Sequence, residues 1–475
     1  MQKAAELCEF ACSLPQIATG EVLEVSRGVE CRVERFPVGV VASIAPFNFP
    51  NMVPHWSIPN AIALGNCFIL KPSEYVPLSA GRIAALLTEA GLPPGVFQVV
   101  HGGRDVVEAI CDHPDIGAVS FVGSTKTAKA VYRRATHNLK RCLALGGAKN
   151  HLIVMPDADR EMAATNIIAS MSGCAGQRCM AASVMVAVSA TDHVIARMAE
   201  IARAMVPGKD IGPVISAEAR ARIVRYIDEA EAQGAKVIVD GRHVKVPGRE
   251  NGYFVGPTIV DQVRPDMAIA QDEIFGPVLA IVRVPDVDEA IRVENASPYG
   301  NAASIYTSSG KAARDFRYKA RAGSIGINLG IAAAMAYFPF GGMKNSFFGD
   351  LHAMGTDGVR FFTEQKNVTA HWFSEEEARE AAQGRREGLR RRLLARHDGR
   401  LERLDDHDRD DLGRFRQRDD HRQRDLRRPG AGPHGDPRGL QPLGRFLPLH
   451  LVTLRYLGRL LHEPRGELDD GHLLD

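Results

Sequence analysis

The sequence predicts an α/β protein with a parallel, doubly wound sheet. Two observations carry that prediction. From about Phe36 onward, short apolar strands alternate with helical stretches in the rhythm of βαβ units. The chain has 475 residues, 45% hydrophobic and 24% charged, which is enough for two or three domains with buried cores.

The elements follow in order. The opening MQKAAELCEFACSLPQ reads as an amphipathic helix, and Glu6 and Glu9 inside it rule against the apolar core of a secretion signal. Between Glu21 and Glu34, EVLEVSRGVECRVE alternates apolar and polar residues around a glycine, the pattern of a two-strand ribbon. The strands GVVASIAP and NCFILKPSE come next, then the helix PLSAGRIAALLTEAG, the strand GVFQVVHG, the helix DVVEAICDH and the strand AVSFVGS. A second α/β region begins at HLIVMPDA and continues through EMAATNIIASMSG, SVMVAVS and DHVIARMAEIARAM. Repeats at solenoid periods are absent.

Composition excludes several classes. A formal net charge of +2 gives no global field for nucleic acid or a membrane surface. Strand-sized apolar runs are too short to span a bilayer. Eight scattered cysteines, with no C-x-x-C pair and no Cys/His cluster, argue against a disulfide framework or a metal site and for reduced thiols in the cytoplasm.

After about Phe373 the composition changes, and Lys, Ile, Asn, Met and Cys disappear. Arg interleaved with Asp and Glu cancels the field that a nucleic-acid arm would need. A disordered, solvated tail is one reading. Translation of GC-rich DNA in a shifted frame explains the missing residue types better, so residues 374–475 are expected to be a disordered, frameshifted tail.

Four segments carry chemistry. In GCAGQRCMAAS, Cys179 sits among small residues between a helix and a strand, open to a substrate, although a buried inert thiol is the commoner fate of a cysteine. Arg178 and backbone N–H groups are candidate sources of the depressed pKa that a thiolate nucleophile needs, with burial acting to cancel them. In IAPFNFP, Asn48 ends a strand and offers a neutral donor for an oxyanion, against the plainer role of a turn cap before Pro50. LKPSE places Lys71 and Glu74 at the carboxyl end of a strand, where open α/β sheets bind nucleotides. SFVGSTKTA runs through Gly123 and Ser124 into a helix whose N-terminus suits a pyrophosphate, without the G-x-G-x-x-G fingerprint.

In this order, PFNFP, LKPSE, FVGST, GQRCM, DEIFGPVL and PFGGMKNSFFGD resemble the aldehyde dehydrogenase superfamily from Phe36 to Phe373. The resemblance implies a Rossmann-like cofactor domain, an α/β catalytic domain and a small β ribbon for oligomerisation. It assigns Cys179 as nucleophile and Asn48 as oxyanion donor. Phe47, Lys71, Glu74, Gly123, Ser124, Glu273 and Phe275 become NAD contacts. The implied boundaries are a cofactor-domain helix at 1–16, the ribbon at 17–36 and a partial NAD-binding domain at 37–147. The catalytic domain would occupy 148–345, with a closing segment and oligomerisation strand at 346–373. A homodimer or homotetramer is implied, with neither nucleic acid nor membrane as partner.

Hydrolytic members carry a general-base Glu in E-L-G-G-K, whereas this chain reads ALGGAKNH, with Ala144 expected at the Glu position. Without that base an acyl thioester can wait for coenzyme A. GGAKNH, GQRCMAAS and the FFGD ending resemble the acylating, methylmalonate-semialdehyde branch, in which Arg178 would hold the substrate carboxylate as a fork. The implied reaction oxidises a small carboxylate-bearing aldehyde with NAD, releases carbon dioxide and forms propionyl- or acetyl-coenzyme A. Family members begin roughly a hundred residues earlier, so the cofactor domain is expected to be incomplete. The family's second carboxylate-binding Arg is replaced by nothing better than Lys3. A hydrolytic semialdehyde dehydrogenase and a non-catalytic remnant are the alternatives.

Overall fold

The computed structural model describes residues 2–332 and 335–397. One compact unit comprises the described chain up to Thr19 together with Arg35–Glu364, and a second comprises Gly20–Glu34 with the described chain from Gln365 onward. Among the described residues no helix is long and apolar enough to cross a membrane.

In the second unit, β1 (Glu21–Ser26) and β2 (Val29–Pro37) form an antiparallel hairpin, and β18 (Thr363–His371) extends it in the order β1-β2-β18. Arg27 and Gly28 make the turn. Gly28 has φ +72, and a Cβ there would stand 2.9 Å from the Trp372 carbonyl oxygen, so the position suits glycine alone. The helix Glu375–His397 follows, where disorder was expected. Its run of Glu, Ala, Arg and Leu has high helix propensity, and Ser374 caps it by accepting from the Glu377 N–H. The rest of the expected tail, 398–475, lies outside the described residues.

The first unit contains two large sheets. One has the order β17-β7-β6-β3-β4-β5. Its strands are β3 (Val40–Ile44), β4 (Cys67–Lys71), β5 (Phe97–Val99), β6 (Ile116–Val122), β7 (Arg141–Leu145) and β17 (Phe347–Phe348). All pair in parallel except β17, which runs antiparallel to β7. Strand order reverses at β3, whose neighbours are β4 on one side and β6 on the other. Ligands of open α/β sheets bind at such a switch point, beyond the carboxyl ends of the strands.

The other large sheet has the order β10-β11-β12-β9-β8-β14-β15. It contains β8 (Asn150–Val154), β9 (Ala182–Val188), β10 (Lys236–Val239), β11 (Thr258–Asp261), β12 (Val278–Val284), β14 (Ala302–Tyr306) and β15 (Ser324–Ile327). Only the β10–β11 pair is antiparallel. A small antiparallel pair joins β13 (Tyr299–Gly300), just before β14, to β16 (Met343–Lys344), after β15. Helices cover both faces of the parallel strands, so β8, β9 and β14 are buried almost throughout and read as continuous apolar runs.

Arg141, at the start of β7, donates to the carbonyls of Arg360, Phe361 and Thr363 at 3.2, 3.1 and 2.7 Å. It thereby satisfies the end of the helix Gly355–Phe361. Arg141→Leu is expected to cost about 2 kcal/mol, because it strands carbonyls that a charged donor had satisfied. Chemical denaturation of the variant measures the loss.

Candidate active site

Register aligns the carboxyl ends of the first sheet, with Ile44 opposite both Lys71 and Phe121, and Phe121 opposite Ala144. Phe47, Asn48, Glu74, Gly123 and Ser124 therefore all leave from one edge. The amino ends of the second sheet align likewise, Asn150 opposite Ala182. Gly146 to Lys149 join the end of β7 directly to the start of β8, so the two edges meet. Cys179 precedes β9, Glu273 and Phe275 precede β12, and all three lie on that seam.

Cys179 emerges from a strained loop. Cys174 and Ala175 both have φ 51, in the left-handed region, and Gly176 follows at φ +71. Cys179, Arg178, Lys149, Glu273 and Phe275 line one cavity. Burial pushes the Cys179 thiol up to about 12, and the charge of Glu273 adds to the rise. The N–H groups of Cys179 and Met180 oppose it by favouring the thiolate. Burial also raises Glu273 to about 7, against the Ala148 N–H that bonds its Oε1 at 2.9 Å. Lys149 is pulled down to about 7 by burial, and the nearby charges of Glu273 and Asp272 only partly offset this. Its Nζ is buried and makes no hydrogen bond among the described residues. The Arg178 guanidinium packs over Gly173, where a Cβ would fall 2.0 Å from Cζ. Its buried Nε is also without a partner among the described residues.

Asn48 donates from Nδ2 to the Gln177 carbonyl at 2.9 Å, two residues before the thiol. One N–H of the amide is thus engaged, which ties Asn48 to the loop that carries Cys179. Phe47 meets Phe275 edge to face at 5.9 Å and Tyr75 at 6.5 Å, which links the two cofactor-side segments. Phe275 itself has φ 57. Lys71 is buried at the end of β4 and pairs with exposed Glu74 at 3.0 Å. The Glu74 carboxyl is lowered first by its own backbone N–H and then, against some desolvation, by Lys71. Ser124 precedes the helix Thr125–His137 without capping it through its side chain, so the first-turn N–H groups stay open to an anion. A nucleotide fits this donor set: an ammonium–carboxylate pair for ribose hydroxyls, a helix N-terminus for phosphate and an aromatic pair at the cysteine.

The structure adds to one expectation and corrects another. On β7 the side chains alternate, and Leu143 and Leu145 pack into the cluster that Cys179 joins. Cys142 and Ala144 face the opposite cluster. Ala144 holds the position of the family's Glu, so no carboxylate stands there, and its neighbour Leu145 faces the cluster that Cys179 joins. Lys3 is spent in a surface ion pair with Glu6 at 2.6 Å. Sequence reasoning also missed Lys149, Asn150, Asn301 and Ser346. Asn150 and Asn301 both donate to the Cys179 carbonyl. Ser346 donates to the Gly147 carbonyl at 2.7 Å and accepts from the Gly300 N–H at 3.1 Å. Their only sequence signal is a polar residue abutting a strand or a glycine turn, which is too common to single them out.

A thiol flanked by backbone N–H groups and an amide, where two parallel sheets meet, defines an α/β protein equipped for covalent chemistry on a carbonyl. The chain belongs to the aldehyde dehydrogenase family, whose family model matches residues 1–368. It is 50% identical over 380 residues to malonate-semialdehyde dehydrogenase 3 of Geobacillus kaustophilus, covering 78% of each chain. Malonate-semialdehyde dehydrogenase 2 of Geobacillus thermodenitrificans is 51% identical over 378 residues, again with 78% of each covered. Among solved structures, the methylmalonate-semialdehyde dehydrogenase of Oceanimonas doudoroffii matches with a TM-score of 0.78 at 48% identity, over 79% of each chain. A Sinorhizobium meliloti protein described as a methylmalonate-semialdehyde dehydrogenase and solved with NAD matches with the same score of 0.78. Its identity is 45%, over 79% of this chain and 78% of that one.

Proposed function

We propose that the chain oxidises a short semialdehyde bearing a carboxylate, of the malonate or methylmalonate type, with NAD, and passes the acyl group from Cys179 to coenzyme A. The observation that carries the reading is the Asn48 amide bonded at 2.9 Å to the Gln177 carbonyl, which ties a neutral donor to the loop of Cys179, the cysteine that lines the cavity among the described residues. The Cys179 thiolate adds to the aldehyde carbon, and the carbonyl electron pair moves to oxygen, where Asn48 and the Cys179 N–H hold it. Bound NAD supplies the acceptor for the hydride that leaves this carbon, giving a thioester. Arg178 holds the substrate carboxylate from the cavity wall. The β-carboxylate leaves as carbon dioxide, the carbon that held it takes up a proton from water, and the coenzyme A thiolate then attacks the resulting acetyl or propionyl thioester and releases the Cys179 thiolate.

Lys71 and Glu74 are assigned to the adenosine ribose, and Gly123 and Ser124 to the pyrophosphate. Glu273, Phe275 and Phe47 are assigned to the nicotinamide end. Residues 37–147 would then serve as the cofactor domain, 148–345 as the catalytic domain and 346–373 as the closing segment. Eight free cysteines favour a cytoplasmic setting, where thiols stay reduced. The exposed edge strand β1, with Val22 and Leu23 outward, suits a homodimer or homotetramer.

A second reading, hydrolysis, draws on Glu273, a carboxyl raised to about 7 that acts electrostatically on Cys179. NADH formation from malonate semialdehyde, with and without coenzyme A, separates the readings. Turnover that depends on coenzyme A is expected; equal turnover without it supports hydrolysis, and none in folded protein supports a non-catalytic remnant.

NAD affinity should weaken as pH falls through about 7, because protonated Glu273 loses the charge that makes it a strong acceptor for a ribose hydroxyl. The expected loss between pH 8 and 6 is about tenfold. Calorimetric titration at both pH values measures it, and Glu273→Gln should flatten the dependence.

A further inference from the structure

We propose that Asn150 and Asn301 are positioning residues that fix the Cys179–Met180 peptide so that its N–H stays directed at the sulfur. The inference deepens the assignment of Cys179 as nucleophile and rests on it. Both amides donate from Nδ2 to the same carbonyl, that of Cys179, each at 2.9 Å. They reach it from opposite directions in sequence, one opening β8 and the other lying between β13 and β14. Two donors use both lone pairs of the carbonyl oxygen.

Asn150 is held on two further sides. Asn150 also donates to the Ala181 carbonyl at 2.8 Å and accepts from the Ala302 N–H at 3.2 Å. Asn150 is 4% exposed and Asn301 5%, so water cannot substitute for a lost partner. A trans peptide is planar, with its C=O and N–H pointing in opposite directions. Pinning the Cys179 oxygen therefore aims the Met180 N–H the other way, and that N–H, with the one on Cys179, is what favours the thiolate. The strained loop at Cys174 and Ala175 makes such a clamp necessary, since it gives the segment a reason to relax.

The test is the rate at which iodoacetamide alkylates Cys179 at pH 8, read peptide by peptide by mass spectrometry in the full chain without substrate or NAD. Asn301→Leu removes one donor without adding charge, and Asn301→Ala does the same with less bulk should the first variant fold poorly. Alkylation of Cys179 is expected to slow about tenfold, the thiolate being the reactive form. Simple loosening of the loop would expose the sulfur and accelerate the reaction. An unchanged or faster rate in a variant that melts cooperatively overturns the proposal. The wild-type assay for NADH formation fails or succeeds independently. An inactive wild type with slowed variants sinks the functional reading and leaves the clamp, whereas an active wild type with unchanged variants sinks the clamp.

Discussion

Cys179→Ser should yield a folded protein whose NADH formation falls at least about a thousandfold. Serine replaces sulfur with a slightly smaller atom at a position that only partly packs against its core cluster, so thermal stability should change little. Chemistry changes far more. Burial already pushes the thiol to about 12, with only two backbone N–H groups in opposition. An alcohol starts from a still higher pKa, and the same surroundings leave no useful fraction of alkoxide. The wild-type thiol is mostly protonated near neutrality, so formation of the covalent adduct should rise with pH, about tenfold per unit while the thiolate is scarce. The sign follows from the raised pKa: protons leave as pH climbs toward about 12. Mass spectrometry of quenched protein should detect the acyl adduct in the wild type and none in the serine variant.

Much of this site was legible in the sequence because it sits where strands end. β3, β4 and β6 announce themselves as apolar runs, and their carboxyl ends must share an edge in a parallel sheet, which brings Asn48, Lys71 and Ser124 together. The face of a strand residue was less legible. Counting two residues back from the Gly pair gives Ala144, but it does not say that this side chain joins the cluster of Cys142 and Phe121 while Leu145 joins the one that Cys179 packs against. Asn150, Asn301 and Lys149 were invisible for a different reason: their importance lies in partners about 30 to 120 residues away in sequence, as with Asn150 and Asn301 on the Cys179 carbonyl. The helix Glu375–His397 shows the opposite case, in which local propensity contradicted a reading based on overall composition.

Gly176→Ala should destabilise the protein by about 3 kcal/mol or more, although it adds a single methyl group. Gly176 has φ +71, and its Cβ would stand 2.0 Å from the Gly276 carbonyl oxygen and 2.6 Å from the Pro277 nitrogen. Those are backbone atoms of the segment that carries Glu273 and Phe275, so no side chain can swing aside. Relief requires the cysteine loop and that segment to part, and a displacement near 1 Å is enough to lower turnover about a hundredfold. Gly234→Ala isolates the conformational part, because Gly234 has φ +96 with nothing within 4 Å of the new Cβ. Thermal melting and turnover of both variants should therefore diverge: modest loss of stability with full activity at 234, and loss of both at 176. Equal behaviour of the two would mean that the cysteine loop does not press against the Glu273 segment in solution.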